Sequence, residues 1–522
     1  MFRPRANRGL ALAVVDDVAC QIVAQSLARP SAPALKDEAL CLTYSQLVSS
    51  ASALAAALRP LGATPGDRAV LLLPNSAEFP VSALGCLLAG VAFVPMSPDD
   101  PPARLQRLVS NCEPKVVIAD ERTYHLAGDV APGVRVARFA DLVEASPPLS
   151  PGHADPQSDA YLIYTSGTSG EPKGVRISRR AFATAVTTSA AAMGLGCGTR
   201  SLCVSPFYFD GSYGTLFTTL VRGGSVIIPA RDKLLFLSHF FSVAVEEAAT
   251  HVGVTPSYLR LLLSSPRCSK LARAPLQSFG LGGEECLAKD VEQIWALRPG
   301  ARVFNRYGPT ETAVQVTTYE VTAKDVEAGK VPIGSPHPGT CFYLLGEDGG
   351  LVGTPGETGE LWVTGPQLMT GYWKDPELTA QVLRRDVVPG ELAYKSGDLA
   401  WRDGQGLYFY YGRSDDVLKR AGVRISLLEI ENALQRFAPA CRRAACVAYK
   451  AGTEGTIVAF IEGGEPDAVA LYERAATVLP RAMLPDKIVP VPTLPTNPSG
   501  KLDRRRLLKM AQGHPGRARP QT

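Results

Sequence analysis

From about Leu42 to Ser265, short runs of aliphatic and β-branched residues alternate with stretches in which apolar residues recur at helical spacing. The runs Ala69-Val-Leu-Leu-Leu73, Val116-Val-Ile-Ala119, Tyr161-Leu-Ile-Tyr164, Leu202-Cys-Val-Ser205 and Val226-Ile-Ile-Pro229 show little polar alternation, so strands made from them are apolar on both faces. Such strands need cover on both sides, which a parallel sheet flanked by helices provides. Tyr44 to Leu58, rich in Ala and Leu, is predicted as one covering helix. The expected fold class is α/β, with a large N-terminal domain of helix-covered parallel sheets. Near Gly334 the pattern changes to strands at Phe342 to Leu345, Glu360 to Thr364 and Leu407 to Tyr411, separated by Gly, Pro and Asp, which predicts a small β-rich subdomain over about 334–411. Beyond Gly412-Arg-Ser-Asp-Asp416 a helix starts near Ser426, with Leu427, Ile430 and Leu434 on one face. Strands around Ala445 to Ala448 and Ile457 to Ile461 and a helix from Asp467 to Val478 complete a compact α+β unit. A chain of 522 residues is too long for one core. The expected division is 1–414 and 415–522, with the charged, Gly-flanked segment at Asp415 as the hinge.

One loop carries a chemical signal. Thr165-Ser-Gly-Thr-Ser-Gly-Glu-Pro-Lys-Gly174 follows an apolar strand, its glycines let backbone N–H groups turn toward an anion, and its hydroxyls add donors. Lys173 adds positive charge. The order is not that of a Walker loop.

Charge and cysteine usage exclude several classes. An excess of 54 basic over 50 acidic residues gives a formal charge of +4, too little to imply nucleic acid, and the basic clusters at Arg504 to Arg506, Arg517 and Arg519 sit in the tail. Eleven cysteines include no C-x-x-C pair and the six histidines are dispersed, which argues against structural zinc and a disulfide framework. The apolar run Leu10 to Val15 is stopped by Asp16 and Asp17, and no run of about eighteen apolar residues occurs. A cytoplasmic, reduced protein with no membrane partner is expected.

Six spaced motifs, running from about Leu42 to Asp503, then resemble one family: the loop at 165–174, Asn305-Arg-Tyr-Gly-Pro-Thr-Glu-Thr312, Gly359-Glu-Leu361, Tyr394-Lys-Ser-Gly-Asp398, Gly412-Arg-Ser-Asp415 and Asn497-Pro-Ser-Gly-Lys501. Together they resemble the adenylate-forming enzymes, which include acyl-CoA synthetases, firefly luciferase and the adenylation domains of nonribosomal peptide synthetases. Leu87-Leu-Ala-Gly-Val-Ala-Phe-Val-Pro95, Phe209-Asp-Gly-Ser212 and Leu479-Pro-Arg-Ala-Met-Leu-Pro485 are closest to the amino-acid-activating branch, with Ala482 and Leu427-Leu-Glu429 as departures that touch no chemical group. The resemblance implies ATP and Mg²⁺. It makes Lys501 the main catalytic cation, with Lys173, Thr310 and Glu311 beside it and Glu311 holding the metal ion. Thr165, Ser166, Gly167, Thr168, Ser169 and Gly170 would wrap phosphate, Gly282, Gly283 and Glu284 line the adenine edge, Asn305 and Gly308 flank Tyr307, which stacks on the base, and Asp398 and Arg413 take the ribose. Asp415 falls at the family's hinge.

The same resemblance places Asp210 where amino-acid-activating relatives pair with the substrate ammonium; the alternative is a cap on the following helix. Phe209, Gly211, Tyr213, Gly253, Gly280, Gly282, Arg306, Val314 and Gln315 would line the rest of the acid pocket. Its glycines leave space, implying a sizeable side chain or a longer backbone than a small α-amino acid has. Arg306 either recognises a second carboxylate or hydroxyl or points away and pairs structurally. The wording around Phe209 and Asn305 also resembles the stand-alone β-amino-acid ligases of macrolactam pathways. The residues 504–522 contain no carrier-type Gly-Gly-x-Ser site, so the expected acceptor is the phosphopantetheine thiol of a separate carrier protein, with free CoA the alternative. An acyl-CoA or aryl-CoA synthetase and a silent nucleotide-binding scaffold are the competing functions.

Overall fold

The computed structural model describes residues 17–144, 154–166, 172–234, 236–413, 417–420, 423–438, 441–451, 454–463, 467–477, 479, 483–497 and 502–513. Its elements form an α/β fold with mixed rather than purely parallel sheets. The chain divides into two compact units, one of Met1–Phe342 with Val363–Lys395 and a smaller one of Tyr343–Trp362 with Ser396–Thr522.

Two large sheets build the first unit. One has seven strands in the order Gly371–Tyr372, Pro172–Ser178, Asp159–Ser166, Ala92–Pro95, Arg68–Leu72, Val116–Ala119, Arg135–Arg138. Its last five are parallel, while Asp159–Ser166 and Pro172–Ser178 pair antiparallel. The expected phosphate loop therefore joins the arms of a hairpin. The other sheet runs Thr317–Glu320, Arg302–Tyr307, Ser278–Gly282, His251–Val254, Arg200–Cys203, Ser225–Ile227, Pro33–Lys36, Cys41–Thr43, six parallel strands with an antiparallel strand at each edge. Antiparallel edges close a parallel sheet where no further crossover helix is available to cover it.

Local chemistry explains where elements begin. The helix Tyr44–Leu58 starts on Thr43, whose hydroxyl accepts from Gln46 N while the Gln46 side chain accepts from Thr43 N, satisfying two otherwise orphan donors. Ser178 caps Arg179–Met193, which ends on left-handed Gly194. Phe79, Phe93, Tyr161, Phe182, Phe207, Tyr213 and Phe217, all under 2% exposed, make the aromatic core beneath the helix Tyr213–Leu220.

The sequence with a β-rich character yields a five-stranded sheet of Cys341–Leu345, Thr358–Thr364, Ala393–Arg402 and Leu383–Arg384, with Tyr408–Arg413 paired to Ala393–Arg402. In the smaller unit the helix Leu427–Phe437 buries Leu427, Ile430 and Leu434 against the three-stranded sheet Arg443–Ala451, Glu454–Glu462, Lys487–Val491. Asp467 caps the helix Ala468–Ala476. The eleven cysteines form no disulfide, and no helix among the described residues is long and apolar enough to cross a membrane.

One ion pair ties two helices that follow neighbouring parallel strands. Arg260 donates through Nε and Nη2 to both carboxylate oxygens of Asp290, at 2.7 and 2.8 Å, and the Asp290 side chain is 2% exposed. Removing one partner of a buried pair strands the other charge. Asp290→Ala is expected to lower stability by roughly 3 kcal/mol, read as a drop of several degrees in Tm, whereas the double variant Arg260→Met with Asp290→Leu should lose less than either single change.

Candidate active site

The carboxyl ends of the parallel strands gather most of the candidate residues. Thr165 and Ser166 end Asp159–Ser166, Gly282 ends Ser278–Gly282, Tyr307 ends Arg302–Tyr307, and Asp210 follows Arg200–Cys203; this is where open α/β sheets bind ligands. Thr165 lies opposite Lys173 across the hairpin. Its hydroxyl is buried without a hydrogen-bond partner among the described residues, which fits a phosphate oxygen arriving there. Gly167, Thr168, Ser169, Gly170, Asp415 and Lys501 lie outside the described residues, as does the side chain of Ser166.

Lys173 and Glu311 meet. Lys173 Nζ is 3.0 Å from Glu311 Oε1 and donates at 2.8 Å to Tyr372 OH, which itself donates to Glu311 Oε1 at 2.8 Å. Burial first, then the neighbouring carboxylate, pushes the Tyr372 phenol far above its ordinary value, so it stays a donor. Sequence reasoning did not find Tyr372. It reaches the site because Gly371–Tyr372 adds a strand beside Pro172–Ser178, a pairing across some two hundred positions with no local signal.

Glu311 is held by a loop that doubles back on its strand. A Cβ at Gly308 would lie 2.4 Å from Gln315 Cα, so this approach requires glycine. After the short 3₁₀ turn Thr310–Thr312, Ala313 and Val314 take φ of 55° and 68°, the left-handed region that disfavours a β-branched residue. Strain of this kind, about 1–3 kcal/mol per residue, persists only where the surroundings enforce it. Val316 N donates to Tyr307 O at 2.8 Å, Met369 N to Glu311 O at 2.8 Å, and the buried Gln367 Nε2 to Gln315 O at 2.7 Å. The Tyr307 ring is half-buried and edge-on to Phe342, centroids 6.3 Å apart.

In the smaller unit, Arg413 Nη1 donates to Asp398 Oδ1 at 3.0 Å and to Ser396 O at 2.7 Å, the two residues facing each other in strand register. Ser396 Oγ accepts from Asp398 N and donates to Leu361 O. These contacts fix a carboxylate that is 9% exposed.

Several residues expected around the acid and the nucleotide are placed differently. Tyr213 is 0% exposed, and its hydroxyl donates to Phe207 O at 3.1 Å inside the aromatic core. The next residue, Gly214, faces the pocket instead, because a Cβ there would meet Gln315, Arg306 and Val314; one step along a helix rotates a side chain by about 100°. Of the expected glycines Gly211 has open space around it, whereas a Cβ at Gly280 would lie 2.9 Å from Arg306 Cζ and one at Gly253 2.0 Å from Thr215 Oγ1 and 3.1 Å from Arg306 Nη2. Arg306 and Thr215 fill the volume over Gly280 and Gly253. Asn305, pointing to the opposite face of its strand, donates to Pro332 O at 2.8 Å, and the Glu284 carboxylate accepts from Ser257 N at 2.9 Å at the start of Pro256–Leu263. Gly282 and Gly283 stay at least partly accessible. Phe209 is half-buried against Tyr208, Gly211 is exposed, and half-buried Asp210 opens a 3₁₀ turn that leads into Tyr213–Leu220, whose cap residue is Ser212.

Comparison with known proteins adds the family. The model described as AMP-binding enzyme matches residues 23–373. The chain is 32% identical over 516 residues to the nonribosomal peptide synthetase ivoA of Emericella nidulans, covering 92% of this chain and 29% of that protein. It is 32% identical over 521 residues to enterobactin synthase component F of Escherichia coli, covering 95% and 40% respectively. The chain thus spans less than half the length of these curated relatives. A four-domain nonribosomal peptide synthetase solved with AMP and glycine superposes with a TM-score of 0.82 at 28% identity, over 96% of this chain and 38% of that one. An anthranilate CoA ligase solved with anthranoyl-AMP shares the fold, with a TM-score of 0.85 at 22% identity over 96% and 98%.

The support behind the Glu311 loop is pH-sensitive. His337 lies between Thr188, Thr318 and Gln367, at 3.0 to 3.2 Å, and burial, opposed by the Gln367 contact, pushes it down to about 4. An unfolded histidine titrates near ~6.5, so the unfolded chain takes up the proton first and stability falls as pH drops from there toward 4. At pH 5 this group is expected to remove about 2 kcal/mol relative to pH 7. His337→Asn should flatten the fall in Tm over that interval.

Proposed function

The chain belongs to the AMP-binding enzymes, and from that premise we propose that it activates an amino acid as its adenylate and passes the acyl group to a thiol. The Lys173–Tyr372–Glu311 cluster at the carboxyl end of a parallel sheet carries this reading. In the first step a carboxylate oxygen of the acid attacks the α-phosphorus of ATP, the bond to the β-phosphate oxygen breaks, and pyrophosphate leaves. Two anions approach, so cations and donors fixed beforehand lower the barrier. Thr165 and Lys173 supply a hydroxyl and a charge at the phosphates, and Lys501 supplies the second cation, spanning the acid carboxylate and the α-phosphate. A single buried carboxylate with phosphate oxygens suits Mg²⁺, which when bound neutralises phosphate charge, and Glu311 is the residue to hold it. Tyr372 positions Glu311. Tyr307 packs on the base, and Asp398, oriented by Arg413, accepts the ribose hydroxyls.

Asp210 supports an amine-bearing acid, because a carboxylate in a pocket lined by Phe209 and Val314 gains most from an ammonium partner. In the second step the thiol sulfur attacks the acyl carbon and AMP leaves. The acceptor we assign is a carrier protein's phosphopantetheine rather than CoA. Asp415 is the hinge about which residues 415–522 turn relative to 1–414 between the steps, so that Lys501 serves only the first. The preferred substrate is a β-amino acid.

Amino-acid-dependent ATP–pyrophosphate exchange is the test. Lys501→Ala should reduce it by the equivalent of ~3 kcal/mol with Tm unchanged. Asp210→Ala should lower kcat/KM for the amine-bearing acid by at least ~2 kcal/mol. Deaminated analogues that drive exchange as well as the amines would overturn the amine reading, and preference for an α isomer over its β isomer would overturn the finer one. Asp415→Pro should spare exchange while slowing thioester formation; an equal loss of both would remove the hinge.

A further inference from the structure

Arg306 is a buried cation with no anion beside it among the described residues. Its side chain sits at 7% exposure on the Arg302–Tyr307 strand, with Nη1 donating to Gly214 O at 2.8 Å and Nη2 to Gly280 O at 3.1 Å. Carbonyl oxygens satisfy donors but do not cancel the charge. Among the described residues no carboxylate lies within ion-pair distance of it. Its one attractive electrostatic neighbour is the Cys203 thiol, which burial pushes up to about 12 and which is therefore neutral at physiological pH. Burial lowers Arg306 itself only to about 10, so the guanidinium remains charged.

The donors around it are also incomplete. Arg306 Nε and Gln315 Nε2 are buried and lack acceptors among the described residues, and Gln315 is 5% exposed. Both side chains crowd the point where Gly214 has no side chain: a Cβ there would be 2.7 Å from Gln315 Oε1 and 3.2 Å from Arg306 Nη1. A purely structural tie between Tyr213–Leu220 and Ser278–Gly282 would account for the two carbonyl contacts. It would leave the charge and both orphan donors unexplained, at a cost that natural cores avoid. Asp210 lies four residues before Gly214 along the same helical path, so about 6–8 Å of backbone rise separates the carboxylate-bearing residue from the carbonyl that anchors Arg306.

We propose that Arg306, assisted by Gln315, is a specificity-determining residue that receives a second carboxylate on the substrate. The acid activated is then an amino dicarboxylate, which carries an ammonium for Asp210, one carboxylate for the guanidinium fork and one for adenylation. This inference rests on the reading of the chain as an amino-acid-activating enzyme.

The experiment is ATP–pyrophosphate exchange by the full chain with aspartate, asparagine, β-alanine, β-phenylalanine and succinate. Aspartate is expected to exceed asparagine, β-alanine and β-phenylalanine by at least ~100-fold in kcat/KM, since each lacks the anion that pairs with the buried cation. Arg306→Gln should bring aspartate and β-alanine to within a few-fold of each other, and Arg306→Lys should retain part of the preference. Because Arg306→Gln also alters the core, Gln315→Glu is the second variant. It sets a carboxylate beside Arg306 with the fold kept, should not lower Tm, and should cut aspartate-driven exchange at least ~10-fold by competing for the guanidinium. A neutral amino acid preferred over aspartate by the wild type overturns the inference and leaves amino-acid activation standing. Exchange with succinate equal to that with aspartate supports the anion site while removing the ammonium site. Exchange with none of these acids and with no other amino acid overturns both.

Discussion

The return of residues 308–316 onto the end of the Arg302–Tyr307 strand is the constraint on which the site depends. Only glycine at 308 lets Gln315 Cα come so close, and that approach turns Glu311 toward Lys173 while directing Val314 and Gln315 toward Gly214. Two successive left-handed residues, one of them valine, show that the path is not one the local sequence prefers. It is imposed from outside by Gln367, Met369 and the Tyr307 carbonyl. A loop placed in this way holds its carboxylate without relying on the ligand to order it, which is how electrostatic preorganisation is achieved.

Strand geometry then sorts the functions. Successive residues of Arg302–Tyr307 point to opposite faces, so Asn305 joins the packing around Pro332 while Arg306 enters the glycine-lined space over Gly253 and Gly280. Gly280 is a steric requirement of the arginine, and Gly253 of Thr215 and the arginine together. At these two positions the missing side chains admit a charge and leave no room, while Gly211 alone keeps the space that the sequence suggests.

What could be read from residues follows the range of the interactions involved. The helix Tyr44–Leu58 begins and ends where the pattern places it because its capping box is local, and Val116–Ala119 is recovered whole because a strand apolar on both faces has no competing pattern. Leu427, Ile430 and Leu434 are buried together as their spacing implies. Reading fails where the decisive contact is distant or a matter of rotation. Tyr372 is recruited by strand pairing, Tyr213 and Gly214 differ by one helical step, and the Glu284 carboxylate turns to the start of another helix. The hairpin of Asp159–Ser166 and Pro172–Ser178 was not legible either, since apolar runs reveal that a strand exists and not the direction of its neighbour.

The two charged constellations of the larger unit obey different physics. Lys173 and Glu311 neutralise each other, and Tyr372 adds a donor, so that set is stable as it stands and gives up little to remain intact before a substrate arrives. Arg306 is not neutralised, and every donor left over near it asks for an acceptor. An imbalance of that kind is a poor way to stabilise a fold and a good way to discriminate among acids, because a ligand lacking the matching anion leaves the desolvated charge unpaired and is rejected by several kcal/mol, roughly the penalty for stranding a buried ion. On the proposed function, catalysis and selection are then altered separately in this fold: one by changing a balanced cluster, the other by changing a single strand residue whose charge is left for the substrate to answer.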